Sequence, residues 1–450
     1  MHHPIHTILQ ELRQDLAQRL DPESIRSACR AVGHFWRECT LAPAAIVHWF
    51  AIQILHGNTS LEHVAILAGS RFSGEAYCLA RKALPLAVFQ SVLRNVIETL
   101  IPDTQKEGLW RGHRTWRVDG SSFSMPDVPA LQKKFGRPGA QKVGCGFPVA
   151  KILALFHAGT GLLIEVICTP LRSHEIAGVD GIHPALKPND VLIGDRGFCS
   201  FAHLAMLSKR GVYAVFRMHR KQIVDFAPNR PHALPGKKTQ VKGLPRSRWL
   251  RSLGVFDQVV EWFKPEDRPS RMTAETYATL PESLIVRELR YDVGRQGFRT
   301  RKVALVTTLS DAELYPLDAL AKIYGARWRV ELNFRHLKTT MKMDIVKCKS
   351  VDGVLKELTV YAILYDLVRV VMLEAARRQG VDVERISFAA ALRWLLQAKP
   401  GDELSQLPVN PDRPGRVEPR VRKRRPKQYP LMKKPRAELR KALMEQGVNA

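Results

Sequence analysis

The chain has 450 residues, 45% hydrophobic and 25% charged, a balance that suits a soluble globular protein of about two or three domains and excludes a disordered or fibrous one. Against 43 Asp and Glu, 70 Lys and Arg leave a net charge of +27 spread along the chain, which calls for an acidic partner, nucleic acid ahead of a membrane surface. Seven cysteines without a C-x-x-C pair exclude a zinc framework and give no reason to expect disulfides.

The opening stretch, MHHPIHTILQELRQDL, is too polar for a signal peptide or a membrane anchor, so a cytoplasmic protein with no membrane partner is expected. From Ile5 to about Leu100, apolar residues recur at three- and four-residue steps. Residues 1–103 therefore read as an all-helical region ending at the breaker Pro102-Asp103. Such clusters bind DNA, dock partners or simply pack, and the sequence leaves all three open.

Over residues 104–220 the period changes. TWRVDGSSF reads as a strand running into a turn, PVAKILALFHA and GLLIEVICTP as a hairpin, and GVDGIHPAL as a short helix. DVLIGDRGF reads as a strand ending at Asp195, FAHLAMLSKRG as a helix and VYAVFRMH as a further strand. A helical crossover between strands signals parallel pairing, which predicts an α/β fold with a mixed sheet. Asp119 and Asp195 are placed at the C-terminal ends of their strands, where α/β sheets open into ligand crevices. An Asp before Gly also serves as a plain turn residue, and that alternative stands beside the catalytic one.

Residues 221–309, with Pro, Gly and basic clusters followed by alternating stretches such as DQVVEWF and KVALVTTL, read as a β-rich insertion. Residues 310–348 hold a helix in YGARWRVELNFRHLK. At about 100° per residue, Tyr324, Arg327, Glu331 and Lys338 form one stripe, and Ile323, Val330, Phe334 and Leu337 an adjoining apolar stripe that packs on the sheet. Glu331 is either an ion-pair partner of Arg335, four residues on, or a ligand. Residues 349–400 are helical, with a possible role in dimerisation. Residues 401–450 form a basic tail in which Arg413 to Arg436 carries eleven basic residues against one acid.

Converging Asp119, Asp195 and Glu331 would repel one another unless cations sat between them. Oxygen donors of this kind take hard divalent ions, Mg2+ or Mn2+, and two such ions can activate a hydroxyl and stabilise a leaving oxygen at phosphorus. Arg327 and Lys338 are then available for DNA phosphates. His157, His174 and His183 lack spaced ligand partners, and Ser121 and Ser122 lack a His-Asp pair, so all five read as structural. Lys133, Lys134, Arg137, Lys142 and Lys151 read as solvated surface, with DNA backbone contact the second choice.

The spacing Tyr324-x(2)-Arg327-x(3)-Glu331-x(6)-Lys338 resembles the Tyr-Arg-Glu-Lys signature of insertion-sequence transposases of family 4, DDE enzymes with a ribonuclease-H-like core. RVDGSSF and LIGDRGF resemble that family's two aspartate motifs, and the β-rich segment its insertion subdomain. The resemblance implies a metal triad of Asp119, Asp195 and Glu331, with two Mg2+ or Mn2+ ions. It further implies contacts from Tyr324, Arg327 and Lys338 to double-stranded transposon-end DNA, and a homodimeric synaptic complex. An aromatic of the insertion, Trp262 or Trp249, would stack on a flipped base. The implied activity is cleavage and strand transfer at terminal inverted repeats; the alternatives are a nuclease that cuts without joining and an inactive DNA-binding relative.

Overall fold

The computed structural model describes residues 3–139, 144–173, 178–222, 224–230, 243–270, 272–293, 302–411 and 433–445. The strands are β1 Thr115–Ser124, β2 Val149–His157, β3 Leu163–Pro170, β4 Val191–Gly194, β5 Tyr213–Arg217, β6 Arg246–Gly254, β7 Asp257–Phe263, β8 Ser283–Asp292 and β9 Lys302–Thr307. They form one nine-stranded sheet in the order β3-β2-β1-β4-β5-β9-β8-β7-β6. The β1-β2-β3 meander is antiparallel, whereas β1-β4 and β4-β5 are parallel. This is the mixed sheet that the strand and helix order predicts, and its ribonuclease-H-like form is the one the family resemblance implies.

Local chemistry explains these elements. β4 reads Val-Leu-Ile-Gly and is buried along its whole length, as a central parallel strand covered on both faces must be. The helix Phe201–Lys209 returns the chain to β5, and Ser200 caps it by accepting the His203 N–H at 3.2 Å. The 29-residue helix Val351–Gln379 is apolar around most of its circumference between Leu358 and Leu373, the pattern of a helix with no solvent face. It packs against Leu86–Lys106, Pro43–Leu55 and β3, so one core runs from the N-terminal helices through the sheet to the C-terminal region. Gly380, at φ +64°, ends it in the left-handed region.

Three expectations change. The helix Leu86–Lys106 does not stop at Pro102 but carries it in its last turns, because buried Leu100 and Thr104 and the Arg13–Asp103 ion pair at 2.8 Å hold that segment down. β1 does not turn at Asp119; it runs on to Ser124 because β2 keeps pairing with it from Trp116 through Ser124. The β-rich segment is not a sheet of its own, since β9 pairs with β5 and carries the core sheet outward through β8, β7 and β6. The long C-terminal helix spends most of its surface on the chain's own core.

Most of the basic tail, residues 412–432, lies outside the described residues; Arg436–Glu445 is a helix. Among the described residues the seven cysteines are free, and no single helix is long and apolar enough to cross a membrane.

Candidate active site

The parallel register pairs Val118 with Gly194, so the next residues, Asp119 and Asp195, follow side by side where the β1–β4 ladder ends. β4 stops there and β1 continues against β2, with Asp119 opposite Ala154. The carboxyl end of the parallel pair, rather than the end of both strands, is therefore what brings the two acids together. Gly194 permits the approach: a Cβ there would lie 3.1 Å from Val118 and Phe216 side-chain atoms. Asp119 Oδ1 accepts the Gly120 N–H at 2.8 Å, and Asp195 opens the short turn Arg196–Phe198.

The third element is a helical run whose winding changes three times. The α-helix Leu317–Gly325 tightens into a 3-10 turn at Ala326–Trp328, resumes at Arg329–Arg335 and widens into a π turn at His336–Thr340. π turns of this kind concentrate at functional sites. Ile323, Val330, Phe334 and Leu337 are buried as their stripe predicts, Phe334 meeting Phe156 edge-on at 5.5 Å. That apolar anchor fixes the polar stripe over β1 and β4.

Three of the four polar members then reach β1 or the residue that follows β4. The Tyr324 hydroxyl donates to Asp195 Oδ1 at 3.3 Å, Arg327 Nη1 donates to Asp119 Oδ2 at 3.1 Å, and Lys338 Nζ donates to Ser121 Oγ at 3.2 Å. Arg327 Nη2 lies 3.8 Å from Glu331 Oε1, so Glu331 pairs one turn back with Arg327, in place of the expected Arg335. Burial pushes the Tyr324 phenol far above its ordinary range, which keeps it protonated and donating. Burial opposes the Arg327 charge, but Tyr324, Asp119 and Asp195 outweigh it and raise its pKa. Behind the site, burial, then the nearby Arg329 and Arg369, lower Arg117 to about 10 despite Glu384.

The three acids are hard oxygen donors of the type that Mg2+ or Mn2+ takes. Among the described residues, no three His, Cys, Asp or Glu side chains form a ready-made metal cage. Asp119 and Glu331 instead share the Arg327 guanidinium. Glu331, with 69% of its side chain exposed, is the acid with room to turn. The donor chemistry fits a divalent ion once that carboxylate moves.

Other expected residues fall elsewhere. Trp262 is 1% exposed and donates its indole N–H to Glu288 Oε1 at 2.8 Å, so it belongs to the core of the β-rich segment and offers no face to a base. Trp249, on β6, is half-buried. An exposed aromatic that sequence reasoning passed over is Trp328, 53% exposed between Arg327 and Arg329 and one turn before Glu331. Its signal was its place outside the apolar stripe.

His157 is buried against Thr160 Oγ1 at 2.9 Å and His183 stacks on His203, both structural; His174 and Lys142 lie outside the described residues. Lys133 and Lys134 are exposed, Arg137 pairs with Asp127 at 3.0 Å, and Lys151 donates to the Ser173 carbonyl at 2.8 Å.

The chain is similar to several known proteins. The transposase InsG of insertion sequence element IS4 from Escherichia coli K12 is 24% identical over 344 residues, 72% of this chain and 71% of its own. The transposase of insertion sequence element IS231E from Bacillus thuringiensis subsp. finitimus is 20% identical over 366 residues, 74% of each chain. A cryo-EM structure of a piggyBac transposase synaptic complex with hairpin DNA aligns over 88% of this chain and 80% of its own, with 9% identity and a TM-score of 0.44. The family model described as a transposase DDE domain matches residues 110–367, a span that holds both aspartates, the whole helical run and more than half of the chain. The chain therefore belongs to the DDE transposases, and it is of the IS4 type.

Proposed function

We propose that Asp119, Asp195 and Glu331 are the metal-binding and catalytic acids of this transposase, and that they act on the ends of an insertion sequence. One observation carries the reading: a single helix ties Arg327 to Asp119 and Tyr324 to Asp195, the two acids that the parallel strands set side by side. Two divalent ions, when bound, supply Lewis acidity to the attacking hydroxyl and the leaving oxygen of a phosphodiester.

The chain's own residues do the rest. Tyr324 donates to one oxygen of Asp195 and so orients that carboxylate. Lys338, resting on Ser121, and Arg327 are placed to take backbone phosphates as point and fork donors respectively. Trp328, exposed beside them, supplies a face on which an unstacked base would rest. The net charge of +27 draws the duplex in, and the tail beyond Arg413 adds to that attraction.

We further propose that the substrate is double-stranded DNA bearing terminal inverted repeats, and that two copies of the chain join two ends. The N-terminal helices and the β-rich segment flank the catalytic core and are assigned here to end recognition. Purified full-length protein with Mg2+ or Mn2+ should nick duplexes ending in the element's inverted repeats and join pre-cleaved ends to a plasmid. Asp119→Ala, Asp195→Ala and Glu331→Ala should each abolish nicking while leaving DNA binding largely intact. Binding without any nicking by the unaltered chain would sink the enzymatic reading; nicking without joining would make it a nuclease.

A further inference from the structure

Asp119 and Asp195 sit side by side past the end of a parallel strand pair, Glu331 stands on the helix above them, and Arg327 lies between Asp119 and Glu331. Its Nη1 is 3.1 Å from Asp119 Oδ2 and its Nη2 is 3.8 Å from Glu331 Oε1, so the guanidinium spans the gap between the two acids. Only 15% of the side chain is exposed, and its guanidinium carbon lies 5.9 Å from the Tyr324 ring centroid. The 3-10 turn at Ala326–Trp328 sets the residue in place, because tighter winding alters where position 327 faces relative to Glu331.

A Mg2+ ion binds oxygens at about 2.0–2.1 Å. An ion shared by Asp119 and Glu331 would thus lie in the gap that the guanidinium spans, against its positive charge. The two cations compete for the same oxygens.

We infer that Arg327 is the resident counter-cation of the metal-free acid cluster, and that a divalent ion loads as its guanidinium leaves. This rests on the assignment of Asp119 and Glu331 as ligands. The displaced guanidinium has an obvious alternative partner, a phosphate of bound DNA, which accepts the same fork of N–H donors as a carboxylate. DNA entry and metal loading are then linked through one side chain, and the free protein holds metal weakly. By linkage, each ligand tightens the other by the same factor.

The test is Mn2+ binding to the full-length protein without DNA, read from the EPR signal of free Mn2+. Arg327→Gln and Arg327→Met, two neutral replacements of similar length, should tighten Mn2+ by about ten-fold, within the ordinary range of coupling between sites. Arg327→Lys, which keeps the charge, should stay within about two-fold of the unaltered chain, since it loses the fork but not the repulsion. Equal or weaker Mn2+ binding by both neutral variants, with unchanged circular dichroism, overturns the inference.

Asp119→Asn added to Arg327→Gln separates the two claims. If it removes Mn2+ binding while Arg327→Gln alone gives no tightening, the acids hold the metal and Arg327 is no competitor. If it leaves Mn2+ binding unchanged, the assignment of the acids itself has failed, and the inference falls with it.

Discussion

Replacing Tyr324 by Phe isolates one bond of the site. The ring stays, so the buried packing of position 324 and its contact with Arg327 persist; only the hydroxyl donating to Asp195 is lost. That bond measures 3.3 Å, longer than the roughly 2.5–3.0 Å of a strong O–H···O bond. Asp195 is half-exposed, so water replaces the lost donor. The cost should therefore sit below the roughly 1.5–3 kcal/mol of a bond to a charged group, at about 1 kcal/mol, when the bond's orientation of Asp195 counts in the transition state and not in the ground state.

That energy corresponds to a roughly five-fold fall in the first-order rate of end nicking at saturating Mg2+. End-labelled duplex under single-turnover conditions gives that rate directly, and a gel shift gives DNA affinity, which should not change. Tyr324→Ala should add a packing defect and lower the melting temperature, whereas Tyr324→Phe should not. A loss above about 1,000-fold in Tyr324→Phe would mean that the hydroxyl takes part in the chemistry, and a rate within about two-fold of the unaltered chain would mean that it does not orient Asp195; either refutes the positioning argument.

Trp328→Ala should lower nicking by about ten-fold or more, in line with the ~1–3 kcal/mol of base–aromatic stacking, while Trp262→Phe should cost stability without a comparable loss; single-turnover rates and thermal melts on both variants decide this. Truncation before Arg413 should weaken DNA binding and flatten its salt dependence, measured by fluorescence anisotropy across a salt series. Stability should also fall below neutral pH. Burial, then Arg114 and Arg117, hold His157 down to about 3, and burial, then Arg369, holds His336 down to about 4, against an ordinary 6.5. Above 6.5 both are neutral in the folded and unfolded chain and contribute no slope. As pH falls from 6.5 toward those values, the unfolded chain binds protons that the folded chain refuses, at about 1.4 kcal/mol per pH unit for each group. Urea unfolding at several pH values should show that slope, and His157→Gln should reduce it.

Much of this molecule is legible in its sequence because the relevant forces act locally. Alternation and helical period place β2, β3, β4, β5 and the buried stripe Ile323, Val330, Phe334 and Leu337 correctly, and the spacing of Tyr324, Arg327, Glu331 and Lys338 marks the helix that meets both aspartates. What periodicity could not supply depends on partners distant in the chain. Where β1 ends is decided by β2, so Asp119 lies within a strand that local turn chemistry would have closed. The β-rich segment joins the core sheet because β9 finds β5, 85 or more residues back along the chain. Trp262 is removed from any base-stacking role by Glu288, a partner on β8 that only the sheet register brings beneath it. The partner of Glu331 depended on a distant residue: Arg327 and Arg335 are each four residues away, and Asp119 holds Arg327 where the two acids can share it. Residue type and spacing thus singled out the side chains proposed to carry the chemistry, and tertiary packing decided which of them touch, since contact between separate strands and helices is set by a core that the whole chain builds together.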